Sequence, residues 1–488
     1  MDRRWLALIF AGAALLYAGS GFLPGRVLVP LDLLNDTGAW KALPDTRRPV
    51  SNHLLSDAVL QFVPWDAQAR RSLLAGRMPW TNPGEDGGSP FWANPVTALL
   101  SPFTWPRLAA GAGGWALSVF LKLLVAGAGA AWLARAMGAG PLAATISGLV
   151  CLASGFSVVW GLHPQTAVFA FLPWLAGAML RLTKRITPGA TAAAVLAAAL
   201  ATAGGHPETL ALSAAGIFAF VLWEGTAGRP SRGVGWAAGA AAAGFLLVAV
   251  QWIPFAFVLS EAQATVARRA QPAGSLRVFA LPGSVVPGFL GSPLAGELDL
   301  TGAVPGSENF NVRSQAFVGL VILSCLVLAG GRLPRPFLRG LAVGAAALLV
   351  AWRVPPLGWL AHAVPLFGLA APEYASAVFV LFAAAASGPA FVAVASGTRR
   401  LRAAAVLLAA GGGLALVGIA FCLPPLQPSI EHAARRGIEL LKARGHLRLD
   451  SAVYAARLSG YLAAARWTAF RRVALPGFCW TLAGIALW

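Results

Sequence analysis

Apolar runs of about 20 residues, the length that crosses a bilayer core, recur along the whole chain between short basic connections and a few long polar ones. They predict spans near residues 5 to 23, 108 to 134, 141 to 160, 165 to 182, 189 to 204, 207 to 223, 234 to 258, 314 to 330, 337 to 352, 374 to 397, 402 to 422 and 473 to 488, with a weaker candidate at 357 to 370. The expected fold is therefore an all-α polytopic membrane protein with about 12–13 transmembrane helices, because a barrel would show short alternating strands instead. Residues 1 to 23 read as an uncleaved first helix.

Between the first two spans, Ser56 to Leu74 interleaves Val59, Leu60, Phe62, Val63, Leu73 and Leu74 with Asp57, Gln61, Asp66, Gln68, Arg70 and Arg71. That is the pattern of a helix lying at the membrane interface. Asp57 and Gln61 are four apart and share one face of it. Ser56 is the expected N-cap, and Pro64 the point at which the first part kinks or ends. A second, basic amphipathic helix is expected over Ser429 to Leu449, with Ile438, Leu440 and Leu441 on or near its apolar side.

The 488 residues are 58% hydrophobic and 11% charged, with a net charge of +19. The distribution of that charge sets orientation and does not indicate a nucleic-acid partner. Arg3, Arg4, Arg135, Arg181, Lys184, Arg185, Arg229, Arg232, Arg332, Arg335, Arg339, Arg399, Arg400 and Arg402 crowd one set of short loops, which is the cytoplasmic side by the positive-inside rule. Of the 18 carboxylates, all but Asp2 and Glu224 fall on the other side. The outer connections are 24 to 107, 259 to 313, 353 to 373 and 423 to 472, which divides the chain into a transmembrane domain at 1–422, an outer amphipathic segment at 423–472 and a last span at 473–488. Ala, Gly, Pro and Arg usage with little Lys suits a GC-rich bacterial genome, hence a bacterial cytoplasmic membrane with the N-terminus inside. Cys151, Cys325, Cys422 and Cys479 lie in or at the ends of apolar runs at no metal-ligand spacing and read as small core hydrophobes.

Polar groups gather on the outer face. Two short outer turns, GLHPQ (Gly161 to Gln165) and GGHPE (Gly204 to Glu208), place His163, His206 and Glu208 in the same compartment as Asp57, and such clustering marks a pathway or an active site. Each also has a plainer reading. Asp57 can be a helix-start charge, the two histidines and Glu208 can cap helices, and Asn94 before Pro95 can be turn chemistry, as can Gly87 and Gly88. Lys122 lies mid-span, where a charged amine costs roughly 2.5–3.5 kcal/mol; it is either a structural lysine or a phosphate contact. Arg268, Arg269, Arg277 and Arg313 are solvated loop charges or pyrophosphate contacts. Trp65, Trp80, Trp92 and Trp105 form an interfacial belt or stack on a sugar. No Walker, HExxH, GxSxG or CxxC pattern occurs. No cofactor is indicated, although Glu85 and Asp86 keep a divalent metal possible.

The order D-x-x-x-Q-x-x-P (Asp57, Gln61, Pro64), L-x-x-G (Leu73, Gly76), MPWTNP (Met78 to Pro83, with Asn82), GGSPFWANP (Gly87 to Pro95, with Asn94) and LLSPFTWP (Leu99 to Pro106) resembles the YfhO family of bacterial membrane proteins, within the GT-C class of glycosyltransferases. The likeness continues through His163-Pro164, Pro173-Trp174, GHPE at Gly205 to Glu208 and NVRSQAFVGL at Asn311 to Leu320. It covers roughly the first 330 residues; beyond them only hydropathy matches. The tryptophan of PWTNP stands one place earlier than usual, and APEYAS (Ala371 to Ser376) lacks an expected arginine. Members are commonly longer, so the resemblance implies a short member or a truncated one.

The resemblance implies a GT-C-like bundle whose large first outer loop carries interfacial helices. It further implies a glycosyltransferase that moves a sugar from a polyprenyl-phosphate donor to an extracytoplasmic glycan or glycolipid acceptor. It makes Asp57 the catalytic base; from the residues themselves, Asp32 just after the first span is the second candidate, and the lack of a second carboxylate at a spacing that argues for a covalent intermediate fits an inverting displacement. Gln61, Lys122, His163, His206, Glu208, Asn82, Asn94 and Arg313 would contact substrate. The competing readings are a transporter of lipid-linked sugars, which predicts interrupted helices and inverted repeats, and a non-catalytic envelope-assembly protein.

Overall fold

The structure is a computed structural model. It describes the chain except residues 1–2, 39, 41–49, 86, 227–231, 271–280, 289–290, 295–307, 366, 397–399, 421, 444–451, 453–457 and 488. Asp2, Asp86, Arg229, Arg277 and Arg399 lie outside the described residues, as do the side chains of Arg3, Arg4, Arg268, Arg269, Ile438, Leu440 and Leu441.

The chain is all-α. Its helices are α1 (Arg3–Ala18), α2 (Val63–Leu74), α3 (Trp105–Ala110), α4 (Gly114–Ala136), α5 (Pro141–Leu152), α6 (Gly155–Val159), α7 (Pro164–Lys184), α8 (Pro188–Ala203), α9 (Pro207–Thr226), α10 (Arg232–Leu247), α11 (Ala249–Glu261), α12 (Gln263–Ala270), α13 (Leu281–Val285), α14 (Phe310–Ser314), α15 (Leu320–Ala329), α16 (Arg335–Ala351), α17 (Leu357–Ala363), α18 (Ser376–Ala395), α19 (Arg400–Ala420) and α20 (Gln427–Ala443). Leu458–Ala469 and Leu475–Leu487 are the last two helices. Among the described residues the only sheet is a two-stranded hairpin in the first outer loop, β1 (Thr81–Asn82) against β2 (Ser89–Pro90), with Thr81 opposite Pro90.

Every predicted span coincides with a helix, but several of these helices are short. Four helices are long and apolar enough to cross a membrane, or five if the bent pair α10 and α11 is one span, with five further apolar helices of 10–17 residues. The protein is thus a multi-pass membrane protein, and the expected count of 12–13 full spans is not reached among the described residues. The reason is visible at 141 to 160, where α5 stops at Leu152 and Ser154 opens α6 by accepting a bond from Ser157 N–H. A hydroxyl that caps a new helix ends the old one. Another break separates α10 from α11, which meet at 80°.

The core lies between α4, α5, α7, α15, α16 and α18. Its centre is α18, in which Ala377, Val378 and every residue from Val380 to Ala386 are fully buried. Small side chains let backbones approach closely, the usual basis of helix association in lipid. At Gly388 a Cβ would overlap the backbone of Ala143, and at Gly148 it would overlap that of Gly127. An ion pair, Arg339 Nη1 to Glu224 Oε2 at 2.6 Å, ties the start of α16 to the end of α9.

Candidate functional site

The segment carrying Asp57 is helical, with two departures from expectation. Ser56 is already in helical conformation and closes the preceding turn, its N–H donating to the His53 carbonyl; the N-cap of that turn is Asn52, whose Oδ1 accepts from Leu54 N–H at 3.0 Å. Pro64 does not end the helix either. The backbone widens into a π-helical turn over Ala58–Phe62 and continues into α2. Proline has no N–H to give and its ring crowds the carbonyl four residues back, so a wide turn just ahead of it keeps the helix continuous. Such turns recur at functional sites. Ala58, Val59 and Phe62 are buried while Asp57, Leu60 and Gln61 are exposed, which gives the two-faced helix that the pattern predicts.

Asp57 makes no capping hydrogen bond. Its Oδ2 stands 4.0 Å from Nε2 of His163, with the histidine side chain 3% exposed and the aspartate 53%. Burial raises the Asp57 carboxyl above its ordinary value of 3.8. Burial first, and the charge of Lys122 second, push the His163 imidazole down to about 3. The contact therefore joins a carboxylate to a neutral imidazole and is not an ion pair. At 4.0 Å it is longer than a hydrogen bond, although catalytic contacts are often long in unliganded enzymes. Phe62 and Trp160 both meet the His163 ring edge-on, at centroid distances of 5.5 and 5.2 Å, and fix its plane.

The two histidine turns differ. Nδ1 of His206 accepts from Thr209 N–H at 3.2 Å and so caps α9. His163 stands at the cap position of α7 but makes no capping bond. Its Nδ1 is buried without a hydrogen-bond partner. The capping explanation thus holds for His206 and fails for His163. Glu208 lies in the first turn of α9, where its charge suits the helix dipole.

From His163 a polar and aromatic network runs across elements far apart in sequence. Trp160 Nε1 donates to Gln315 Oε1 at 2.9 Å, and Gln315 Nε2 donates to the Glu373 carbonyl at 3.0 Å. Gln165 Nε2 donates to the Tyr374 hydroxyl at 3.3 Å. The Tyr374 ring packs on Trp160 and on His206, at 5.7 and 4.7 Å. The charges of Glu208, Glu373 and Asp57 all reach the Tyr374 hydroxyl. Two backbone approaches hold these pieces together. Gly155 N–H donates to the Phe317 carbonyl at 2.7 Å, and Gly205, at φ +85°, sits where a Cβ would overlap the Pro95 carbonyl oxygen.

Beneath Asp57 lies a buried charge cluster. Arg107 Nε is 3.1 Å from Asp66 Oδ2, and its Nη2 donates to Asp66 Oδ1 at 3.2 Å. Arg107 also stacks on Trp115 at 4.4 Å. Lys122, 1% exposed, donates to the carbonyls of Gly161 at 3.1 Å and His163 at 3.0 Å. Two charge-assisted bonds of about 1.5–3 kcal/mol each offset the roughly 3 kcal/mol cost of placing the amine in a span. Lys122 is therefore not a snorkelling residue; it clamps the turn that presents His163.

Other candidates hold the loops. Asp32 Oδ2 accepts from Ser51 N–H at 2.6 Å. Asn82 Oδ1 accepts from Gly84 N–H and Asn94 Oδ1 from Val96 N–H, both turn bonds. Arg313 is neither a solvated charge nor exposed to a ligand: fully buried, it donates to the carbonyls of Glu308 and Gly291 and organises the second outer loop. Trp65 donates to Glu85 Oε1 and Trp92 to the Val250 carbonyl, whereas Trp80 and Trp105 are exposed. Among the described residues, no group of three His, Cys, Asp or Glu side chains could hold a metal ion.

Sequence reasoning did not single out Trp160, Gln165, Gln315, Tyr374 or the Asp66–Arg107 pair. Gln165, Gln315 and Tyr374 sit inside the stretches GLHPQ, NVRSQAFVGL and APEYAS, so the signal was the stretch and not the residue. No protein-family model, curated protein or solved structure matches the chain.

Proposed function

We propose that the protein is a membrane-embedded group-transfer enzyme working on a lipid-borne substrate at the face of the membrane that carries Asp57. More specifically, it is a glycosyltransferase of the GT-C type, which moves a sugar from a polyprenyl phosphate to an outer glycan or glycolipid acceptor in a bacterial cytoplasmic membrane. The observation that carries this reading is the pairing of Asp57, raised in pKa and with no cation partner among the described residues, with the neutral, plane-locked His163.

Asp57 accepts the proton of the acceptor hydroxyl while that oxygen attacks the anomeric carbon, and the bond from that carbon to the phosphate oxygen breaks. A carboxylate with raised pKa is the better base for a hydroxyl. One carboxylate suffices for an inverting displacement. Room for the prenyl chain is offered by an apolar cleft of about 330 Å³ walled by Tyr17, Leu28, Val119, Leu123, Val158 and Leu162. One of its wall residues, Leu162, adjoins His163 in the chain, which puts the cleft beside the Asp57–His163 pair. The basic short loops then face the cytoplasm.

The test is transfer from a polyprenyl-phosphate sugar by purified protein in lipid. Asp57→Asn should lower the rate about 10²–10⁴-fold, the usual contribution of a positioned base, and the parent's rate should rise with pH along a limb lying above 3.8. Full transfer by Asp57→Asn would overturn the assignment. The 80° break between α10 and α11 favours a second reading, since interrupted helices are a transporter feature. Movement of lipid-linked sugar across vesicles by protein that transfers none would establish that alternative.

A further inference from the structure

A second cavity lies at the membrane face remote from Asp57. α7 runs 21 residues from Pro164, beside His163, to Lys184, about 30 Å at 1.5 Å per residue, so its far end is one bilayer core away. There the ends of α4 and α7 and the start of α8 enclose about 350 Å³, lined by Trp132, Arg181, Lys184 and Arg185 over a wall of small residues that includes Ala178 and Ala193.

Three cations within five residues repel one another, and among the described residues no carboxylate lines this cavity. Glu224, the acidic residue at this end of α9, is already paired with Arg339. The side chains are nonetheless arranged. The Arg181 guanidinium sits over the Trp132 ring, 4.5 Å from its centroid, and Trp132 stacks on Trp174 at 5.4 Å, an arrangement in which a guanidinium keeps N–H groups to offer an anion. Lys184 spends one of its three donors on the Ala136 carbonyl at 3.1 Å. A charged mouth, an aromatic residue at interfacial depth and an apolar wall leading into the spans fit an amphiphile. A free anion would use only the mouth.

We propose that this cavity binds the phosphate-bearing headgroup of an anionic phospholipid, with the acyl chains along the alanine wall. Basic pockets between transmembrane helices are suited to this chemistry. Each cation near the surface is worth about a fivefold gain in affinity, so the three together supply roughly 10²-fold over a neutral lipid.

The experiment is native mass spectrometry of the purified full chain with phosphatidylglycerol or phosphatidylcholine added. The expected result is selective retention of phosphatidylglycerol, lost about 10²-fold in Arg181→Gln/Lys184→Gln/Arg185→Gln and largely kept in the charge-preserving Arg181→Lys/Arg185→Lys, which also controls for folding. A control variant, Arg332→Gln/Arg335→Gln, removes two cations from the same face outside the cavity and should retain the lipid. Equal retention of both lipids, displacement by excess inorganic phosphate, or equal loss in the control variant would each overturn the proposal.

Discussion

At the scale of single residues, the site rests on unequal treatment of like groups. Asp57 and Asp66 are nine positions apart on one helix, yet Asp57 meets a neutral histidine and Asp66 is buried on Arg107. Burial pushes the Asp66 carboxyl up to about 6 against the opposing pull of Arg107 and Lys122. The folded protein therefore holds a proton that the unfolded chain releases near 3.8. The stabilisation from that proton is complete below 3.8 and is lost as pH rises through about 6. Asp66→Asn should remove this pH dependence from the thermal unfolding profile in detergent. At neutral pH it should also destabilise by about 3–5 kcal/mol, because Arg107 is left as a buried unpaired charge. An unchanged midpoint would show that solvent reaches Arg107. Asp57 and Lys122 were legible as oddities in the sequence, since a charge on an apolar segment stands out by itself. The Asp66–Arg107 pair was not, because 41 residues separate its members and each alone resembles an ordinary loop charge.

At the scale of elements, hydropathy located the helices because a 20-residue apolar run admits few other structures in lipid. It did not foresee where they break. Ser154 interrupts one run by capping, and Pro64 failed to interrupt another because a wide turn absorbed it. Both outcomes depend on which hydrogen bonds the surroundings offer, which periodicity does not encode. The turns GLHPQ and GGHPE were legible as polar punctuation, whereas their meeting with Gln315 and Tyr374 depends on packing of the whole bundle. Gly205 is the joint between GGHPE and the first outer loop. Gly205→Ala must place a Cβ at φ +85° and against the Pro95 carbonyl, which should cost about 2 kcal/mol or more. Thermal unfolding and transfer should both suffer, the latter because His206 and Tyr374 shift. An alanine variant with parental stability would show that the loop does not dock there.

At the scale of the whole molecule, α18 is buried from Ser376 to Gly388 except at Phe379, which is partly buried. Although α19, which touches it lightly, follows it in the chain, its main neighbours α4, α5, α7, α9, α15 and α16 precede it. During synthesis these helices therefore enter the membrane around a space whose occupant has not yet been made. The bundle closes only when Ser376 to Ala395 emerges, and until then its inner walls, rich in glycine and alanine, face lipid or a chaperone. A chain stopped just before Ser376 should insert yet remain open to protease, whereas one stopped after Ala395 should resist digestion within the bundle. Pulse-labelling with limited proteolysis distinguishes the two, and equal resistance would mean that the core closes without its axle. Quality control of this protein would thus be decided late in translation, by one helix.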